Sequence, residues 1–294
     1  MNTIQEYLKL AEKQGNAIGH FNISNSDGFW AVVHASQELE AELGHKVPVI
    51  IGVSEGERDC IGVEAVALMV RSAREKYNIP LFLNADHTYS FERVKEVVDA
   101  GYDAVIFDGT ELPFASNVAE TQKCKEYITK VRPTMLLEAE LGFIGKSSKV
   151  LEGIPDNVKL TDEFLTDPSE AQKFIQETGA DMLAPAVGNI HGMLKGGVDP
   201  ALNPQRVQEI SLATKVPLVL HGASGNSDAE IKECIKAGVR IVHVNTELRV
   251  AFKQGLIKYL QENPDEVAPY KYMKAARDAM KEVVKKKLLV FMNA

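Results

Sequence analysis

The chain has 294 residues, with 33 Lys and Arg against 41 Asp and Glu, which gives a formal net charge of −8. Its 45% hydrophobic and 25% charged residues supply enough apolar side chains for a packed core, which excludes a disordered, collagen-like or low-complexity chain. The acidic balance argues against nucleic acid as a partner, because phosphate backbones require a basic face. The uncharged apolar runs are far shorter than the roughly 20 residues of a membrane span, so no membrane partner is expected.

The cysteines and the N-terminus predict a cytoplasmic location. Cys60, Cys124 and Cys234 are far apart, match no C-x-x-C spacing and are odd in number, which favours a reducing compartment over a disulfide framework. The first residues carry no basic patch followed by an apolar run, so the sequence shows no signal peptide.

Short runs rich in Val, Ile and Leu alternate with longer stretches of helical periodicity, a pattern typical of parallel strands joined by crossover helices. The eight predicted strands, in chain order, are Ala17 to Asn22, Val47 to Val53, Pro80 to Asp86, Asp103 to Asp108, Thr134 to Glu140, Asp181 to Ala186, Pro217 to His221 and Val239 to Val244. The predicted helices that follow them are Asp27 to Leu43, Val63 to Tyr77, Phe91 to Ala100, Asn117 to Lys130, Pro168 to Thr178, Pro204 to Thr214, Asp228 to Lys236 and Thr246 to Gln261.

Eight strand–helix units with no break in composition predict one (β/α)8 TIM-barrel domain over residues 1–294. A helical extension, roughly Asp265 to Phe291, follows the last unit. An open doubly wound sheet is the alternative, but no G-x-G-x-x-G follows the first strand. Two connections, Leu141 to Asp167 and Val187 to Leu202, exceed the usual length of roughly two to six residues, which indicates functional loops.

Polar residues are concentrated at the carboxyl ends of the predicted strands, where barrels of this class carry their active sites. Four of the seven histidines lie at this rim. The polar residues that end or follow the strands are Asn22, Ser54, Asp86, His87, Asp108, Glu140, His191, His221, His243 and Asn245. We therefore expect one functional site at this end of the barrel.

Three histidines of this set are candidate metal ligands. His87, His191 and His221 would converge from three strands, and three imidazoles suit a catalytic Zn²⁺ with an open fourth position. Any one of them is equally well explained as a hydrogen-bonded loop residue, but the set favours a metal. Asp108 and Glu140 fit a second metal position, orientation of the imidazoles, or charge balance, and their positions alone do not separate these roles.

Proton transfer and phosphate binding have their own candidates at the same rim. Asp86 is either a general acid or base beside the metal or a capping residue, and the adjacent metal cluster favours the first role. The run His221-Gly222-Ala223-Ser224-Gly225 precedes a predicted helix, and the pair Asn245-Thr246 opens the helix after the eighth strand. Helix N-termini with glycine turns bind phosphate, and barrels often hold phosphate after strands seven and eight.

Taken together, these motifs resemble those of the class II, metal-dependent fructose-bisphosphate and tagatose-bisphosphate aldolases. The similarity covers nearly the whole length and rests on the order and spacing of several motifs. They are Phe21-Asn22, Val53-Ser54-Glu55-Gly56, Asp86-His87, Phe107-Asp108-Gly109-Thr110, Glu138-Ala139-Glu140-Leu141-Gly142, Gly188-Asn189-Ile190-His191-Gly192, His221-Gly222-Ala223-Ser224-Gly225, Asn245-Thr246-Glu247-Leu248-Arg249 and Ala275-Ala276-Arg277.

The resemblance implies roles for individual residues. Three histidines would hold the catalytic zinc, two carboxylates would serve a second or alternative metal position, and Asp86 would exchange the proton of the substrate's C4 hydroxyl. The implied ligands are His87, His191 and His221, then Asp108 and Glu140. The implied substrate and phosphate contacts are Asn22, Ser54, Gly192, Gly222, Ser224, His243, Asn245 and Thr246. A monovalent cation near the phosphate and a homodimer or homotetramer are also implied.

The leading prediction is a zinc-dependent aldolase that reversibly cleaves fructose 1,6-bisphosphate to dihydroxyacetone phosphate and glyceraldehyde 3-phosphate, in glycolysis and gluconeogenesis. Tagatose bisphosphate or another phosphorylated ketose is the alternative substrate, and a catalytically weak sugar-phosphate-binding relative is the alternative class. The sequence departs from the family pattern at Ile241, His243 and Ala223. The loop from Gly145 to Lys149 lacks the usual acidic stretch, which leaves Glu152 as the nearest candidate for a mobile base.

Overall fold

The computed structural model describes residues 2–142, 144–145, 149–153, 165–195 and 199–292. Eight parallel strands close into a barrel: β1 (Ile18–Asn22), β2 (Val49–Val53), β3 (Leu81–Thr88), β4 (Ala104–Phe107), β5 (Leu136–Leu141), β7 (Met182–Pro185), β9 (Leu218–Leu220) and β10 (Val239–Val244). Strands adjacent in this order pair with each other, and β10 pairs with β1. Two short strands, β6 (Val150–Leu151) and β8 (Met193–Leu194), form a separate small sheet. The predicted (β/α)8 barrel is confirmed.

The helices surround this barrel and extend it. They are α1 (Ile4–Gln14), α2 (Ser26–Leu43), α3 (Glu55–Ile61), α4 (Val63–Tyr77), α5 (Phe91–Ala100), α6 (Phe114–Val131), α7 (Pro168–Thr178), α8 (Pro204–Thr214), α9 (Asp228–Ala237), α10 (Thr246–Glu262) and α11 (Pro269–Met292). The ranges predicted from the sequence correspond to α2 and to α4 through α11, and no helix was predicted at α3. The C-terminal helix α11 packs against α2 and α10.

The strand boundaries differ from the predicted ones mainly at the end that carries the site. β3 continues to Thr88, two residues beyond its predicted end, whereas β4 stops at Phe107 and β9 stops at Leu220. Asp108 and His221 therefore lie just past their strands rather than within them. These shifts place both side chains at the mouth of the barrel.

The opposite end of the barrel is closed by α1. A capping box between Thr3 and Glu6 starts this helix, and its apolar face packs into the barrel, with the Tyr7 ring 5.8 Å from that of Phe82. The other apolar residues of this buried cluster, from α1 and the barrel strands, are Ile4, Leu8, Ala11, Ile18, Ile50, Ala104, Leu136, Met182, Ala184, Val219 and Ile241. Because this end is filled with apolar side chains, the polar interior opens only at the carboxyl ends of the strands.

Most of the core lies between the outer faces of the strands and the surrounding helices, where aliphatic and aromatic side chains are fully buried. None of the described helices is both long and apolar enough to cross a lipid bilayer. The predicted functional loops lie partly outside the described residues. In particular, residues 146–148 of the loop that departs from the family pattern are not among them.

Candidate active site

A small cavity opens at the carboxyl ends of the barrel strands. All ten residues that line it are among the site residues predicted from the sequence. They are Asn22, Asp86, His87, His191, Gly192, Gly222, Ser224, His243, Asn245 and Thr246. The structure thus brings residues from both ends of the chain to one place, while their roles stay predictions.

Three histidines face one another at this mouth. One ring nitrogen from each of His87, His191 and His221 lies within 4.8 Å of the other two, and Nε2 of His87 is 3.1 Å from Nε2 of His191. The His87 ring also lies nearly perpendicular to the His221 ring, with 5.0 Å between their centroids. Three imidazoles directed at one point from different elements form a donor set that fits Zn²⁺.

The outer nitrogens of two of these rings are held by hydrogen bonds. Nδ1 of His191 donates to the backbone carbonyl of Gly145 at 2.6 Å, and Nε2 of His221 lies 2.7 Å from Oε1 of the fully buried Glu138. The buried Nδ1 of His221 has no hydrogen-bond partner among the described residues. Burial, reinforced by the neighbouring His87, lowers the pKa of both His191 and His221 to about 3, so both rings are neutral near pH 7, as metal ligands must be.

Two carboxylates stand behind His87. Its Nδ1 is 3.1 Å from Oδ2 of Asp108 and 3.8 Å from Oε2 of Glu140. Thr110 fixes Asp108, because its hydroxyl and backbone N–H donate to Oδ1 at 2.7 and 3.1 Å. Burial lowers the pKa of His87, but Asp86 and these carboxylates outweigh it and raise the pKa to about 10. This negative charge stabilises a cation at His87, which is either a proton on the ring or a metal ion that displaces that proton. The two carboxylates can bind a second metal or orient His87.

Asp86 is buried beside the histidine cluster. Its Oδ2 accepts a hydrogen bond from Nδ2 of Asn22 at 2.8 Å, and its Oδ1 lies 3.4 Å from Nδ1 of His243. Burial raises the pKa of Asp86, but the charge of His87 and the contact with His243 outweigh it and hold the pKa well below its usual value. An ionised carboxylate with fixed orientation, next to a candidate metal centre, can exchange a proton with a bound substrate.

The backbone explains how Asp86 and His87, which are consecutive, both face the mouth. His87 has φ +38°, a left-handed conformation that is uncommon for residues other than glycine. The ladder between β3 and β4 is irregular between Ala85 and Thr88. Adjacent side chains of a regular strand point to opposite faces, and this local turn redirects one of them.

His243 is held in a stack of imidazoles inside the barrel. Its ring centroid lies 4.2 Å from that of His221 and 3.5 Å from that of His20, and the His20 and His243 rings are parallel to within 2°. Burial lowers the pKa of His20 to about 4, and its Nε2 lies 3.1 Å from Nδ2 of Asn84. Gly52 makes room for this stack, because a Cβ there would lie 2.1 Å from the His20 ring.

The predicted phosphate positions surround the start of α10. Gly222 has φ +61°, and Oγ of Ser224 lies 3.4 Å from the backbone nitrogen of Glu247 in the first turn. Asn245 caps the helix without a side-chain hydrogen bond, and its buried Oδ1 has no partner in the described part of the chain. Backbone N–H groups and hydroxyls are thus gathered where a phosphate would be neutralised by the helix N-terminus.

Two predicted residues, Ser54 and Glu152, belong neither to the cavity lining nor to the cluster of histidines and carboxylates beside it. Ser54 precedes α3, and its hydroxyl and backbone N–H both donate to Oε2 of Glu57, at 2.9 and 2.8 Å. Glu152 is exposed, and its Oε1 lies 2.9 Å from Nζ of Lys195. The substrate contact of Ser54 and the role of Glu152 as a base therefore stay predictions.

Sequence reasoning missed several buried polar residues near the site, namely His20, Glu57, Arg58 and Glu138. Two signals were available. The spacing of Ser54 and Glu57 is that of a capping box, which marks the start of α3. The period of two in a strand places His20 on the same face as Asn22, and Glu138 on the same face as Glu140.

Comparisons with known proteins show the family of the chain. Residues 2–294 match the family model described as fructose-bisphosphate aldolase class-II. The fructose-bisphosphate aldolase of Staphylococcus aureus (strain Mu50) is 38% identical over 292 residues, covering 98% of this chain and 96% of that protein. The probable fructose-bisphosphate aldolase of Bacillus subtilis (strain 168) is 37% identical with the same coverage.

A solved structure supports the same assignment. The crystal structure of the YdjI aldolase from Escherichia coli K12 superposes with a TM-score of 0.80 at 30% sequence identity, covering 98% of this chain and 96% of that one. The family match and the curated relatives cover nearly the whole chain. The chain therefore belongs to the class II fructose-bisphosphate aldolase family, whose members are carbon–carbon lyases.

Proposed function

We propose that this chain is a zinc-dependent aldolase that reversibly cleaves fructose 1,6-bisphosphate into dihydroxyacetone phosphate and glyceraldehyde 3-phosphate, in glycolysis and gluconeogenesis. The observation that carries the proposal is the group formed by His87, His191 and His221, with ring nitrogens within 4.8 Å of one another and Asp86 beside them. When bound there, zinc acts as a Lewis acid toward the negative charge that develops on the ketone half of the substrate.

The protein's own groups supply the proton transfer. Asp86 is oriented by Asn22 on one oxygen and lies near His243 on the other. In the cleavage direction its carboxylate takes the proton from the C4 hydroxyl as the C3–C4 bond breaks and the C4 aldehyde forms. In the condensation direction the same oxygen returns this proton to the new hydroxyl.

The start of α10 and the turn after β9 are proposed to bind the phosphate of the ketone half. Ser224, Asn245 and Thr246 line the cavity, and the positive end of the α10 dipole favours an anion there. A phosphate held at this point fixes the ketone carbons relative to Asp86. Such fixed geometry lowers the barrier, because reactants held in near-attack contact lose little further entropy.

A different phosphorylated ketose, including tagatose 1,6-bisphosphate, is the second candidate substrate. One observation supports this second candidate. His243 lines the cavity, and within the described residues its buried Nε2 has no hydrogen-bond partner. A free ring nitrogen at the substrate's position can select a hydroxyl configuration or a substituent that an aliphatic residue would not.

Retro-aldol cleavage of the two sugars tests this proposal. Purified, zinc-loaded protein is assayed with fructose 1,6-bisphosphate and tagatose 1,6-bisphosphate, with and without a chelator. Buffers with and without potassium test the monovalent cation that the family resemblance implies. We expect fructose 1,6-bisphosphate to be cleaved faster, with activity lost on chelation and restored by zinc. Preference for tagatose 1,6-bisphosphate would move the assignment to the second candidate. No cleavage of either sugar by zinc-bound protein would exclude both sugars as substrates and leave another phosphorylated ketose or a catalytically weak relative.

We also propose a homodimer or homotetramer. Val267 and Tyr270, between α10 and α11 and at the start of α11, are 85% and 76% exposed, which is high for apolar side chains of this size. Sedimentation velocity at micromolar concentration tests the assembly, and a monomer at these concentrations would contradict it.

A further inference from the structure

We infer that Arg58 is a positioning residue for the metal centre: its buried guanidinium holds the backbone turn that presents Asp86 and His87 to the mouth of the barrel. The inference rests on the proposed function, because it takes His87 as a zinc ligand. Arg58 lies on α3, outside the cavity, and acts through the groups it binds.

The contacts of Arg58 converge on both sides of His87. Nη1 donates to the backbone carbonyl of Asp86 at 3.2 Å, and Nη2 donates to the hydroxyl of Thr88 at 3.2 Å. Nη1 also donates to the carbonyl of Val53 at the end of β2, at 2.8 Å. One planar group thus ties the residues before and after His87 to the neighbouring strand.

The backbone that Arg58 holds is strained. His87 adopts φ +38°, and the β3–β4 ladder loses its regular register between Ala85 and Thr88. A left-handed conformation at a residue with a side chain costs free energy, so it persists only where surrounding contacts determine it. The bonds from Arg58 supply such contacts, and the backbone N–H of Asp108 adds a second one by donating to the Thr88 carbonyl at 3.0 Å.

Arg58 is itself an unusual residue to find at this position. Its side chain is fully buried, and the nearest carboxylate oxygen in the described part of the chain, from Glu55, is 3.9 Å away. Burying a guanidinium with only a distant counter-charge is costly, so its hydrogen bonds to strand ends must compensate. Lysine does not replace it well, because a single ammonium lacks the planar fork that reaches Asp86 and Thr88 together.

The neighbouring residue Glu57 helps to hold the side chain of Asp86 in place through Asn22. Its buried carboxylate accepts hydrogen bonds from Asn22 at 2.9 Å, from Ser24 at 3.0 Å and from Arg249 at 2.6 Å. The Asn22 amide, which also donates to Asp86, is therefore fixed between two carboxylates. α3 thus supports the Asp86 side chain through Glu57 and the Asp86 backbone through Arg58.

Zinc affinity measured by competition with a chromophoric chelator tests the role of Arg58 without requiring turnover. We expect Arg58→Lys to weaken zinc binding by about 10- to 100-fold, the usual range for groups that orient a metal ligand. Arg93→Lys is the matched control, because Arg93 lies on α5 in partly exposed ion pairs with Asp59 and Glu96 and is expected to leave the affinity unchanged.

Thr88 offers a milder pair of variants that keeps the test decisive if Arg58→Lys does not fold. Thr88→Val removes the hydroxyl that accepts from Arg58 at nearly constant volume, whereas Thr88→Ser keeps that hydroxyl. We expect weaker zinc binding in Thr88→Val and near wild-type affinity in Thr88→Ser. The Thr88→Val apoprotein should also unfold at a lower temperature, because it leaves a buried Arg58 donor without its acceptor, so the affinities are compared below both unfolding transitions. Where cleavage is measured, kcat should fall and KM should change little.

Two results would overturn the inference, and they are distinguishable. Wild-type zinc affinity in both Arg58→Lys and Thr88→Val, in a protein that binds zinc normally, would refute the role of Arg58 and leave the proposed function intact. Failure of the wild-type protein to bind zinc would refute the proposed metal centre and, with it, this inference.

Discussion

Gly222 connects two of the candidate zinc ligands, because it follows His221 and lies against the backbone that carries His191. A Cβ added at Gly222 would lie 2.1 Å from the Ile190 carbonyl oxygen and 3.2 Å from the His191 nitrogen. Ordinary contacts of a Cβ begin at 3.4 Å, so the Gly222→Ala variant must move one of these backbone segments by more than 1 Å. The residue also has φ +61°, which alanine adopts only with strain.

The expected loss of stability in Gly222→Ala is the sum of the cost of the backbone conformation and the cost of the steric overlap. The left-handed conformation costs about 1–2 kcal/mol, and relieving the overlap costs about 1–3 kcal/mol. We therefore expect Gly222→Ala to lower the free energy of unfolding by about 2–5 kcal/mol. Because the shift falls on His191 or His221, and a displacement of about 1 Å can cost roughly 100-fold in rate, kcat should fall by about 100-fold.

Urea unfolding, zinc content and steady-state cleavage are the assays for this variant. Gly44→Ala is the matched control, since Gly44 has φ +73° at the end of α2 but no atom within 4 Å of an added Cβ. That variant should show only the cost of the backbone conformation and full activity. Wild-type kcat and zinc content in Gly222→Ala would refute the reasoning that this turn holds the two histidines in place.

Two further predictions concern catalysis and the core. Asp86→Asn should lower kcat by about 100- to 10,000-fold while the protein retains zinc, since general acid–base catalysis contributes this much. Asp59 is an exposed carboxylate on α3, and Asp59→Asn should behave as wild type. Comparable kcat values for the two variants would contradict the role of Asp86. Phe174 is fully buried on α7, and Phe174→Ala should lower the free energy of unfolding, measured in urea, by about 3–5 kcal/mol. A loss below about 1 kcal/mol would show that the core around Phe174 is not packed as described.

The fold could be predicted because its strands are short apolar runs and its helices begin and end at recognisable caps. β10 and several helices, such as α4 and α5, have the predicted boundaries. α3 was missed because its residues, Glu55–Ile61, are largely polar and show no apolar periodicity. Its start was nevertheless encoded in the capping box of Ser54 and Glu57.

The residues of the cavity could be predicted because barrel topology alone brings strand ends together. The contacts made by the supporting groups could not be predicted, because these contacts join distant parts of the chain. Nothing in the residues around His87 specifies φ +38°, which depends on Arg58, some thirty residues earlier. His20 and Glu138 lie within apolar strand sequences, and their partners His243 and His221 are on other strands.

The central claim is that the three-histidine centre carries the cleavage reaction. The most direct measurement is zinc content by mass spectrometry, together with fructose 1,6-bisphosphate cleavage, in His191→Ala beside the exposed control His45→Ala. We predict that His191→Ala loses the catalytic zinc and the activity together, while His45→Ala keeps both. Full zinc content or undiminished cleavage in His191→Ala would contradict the account.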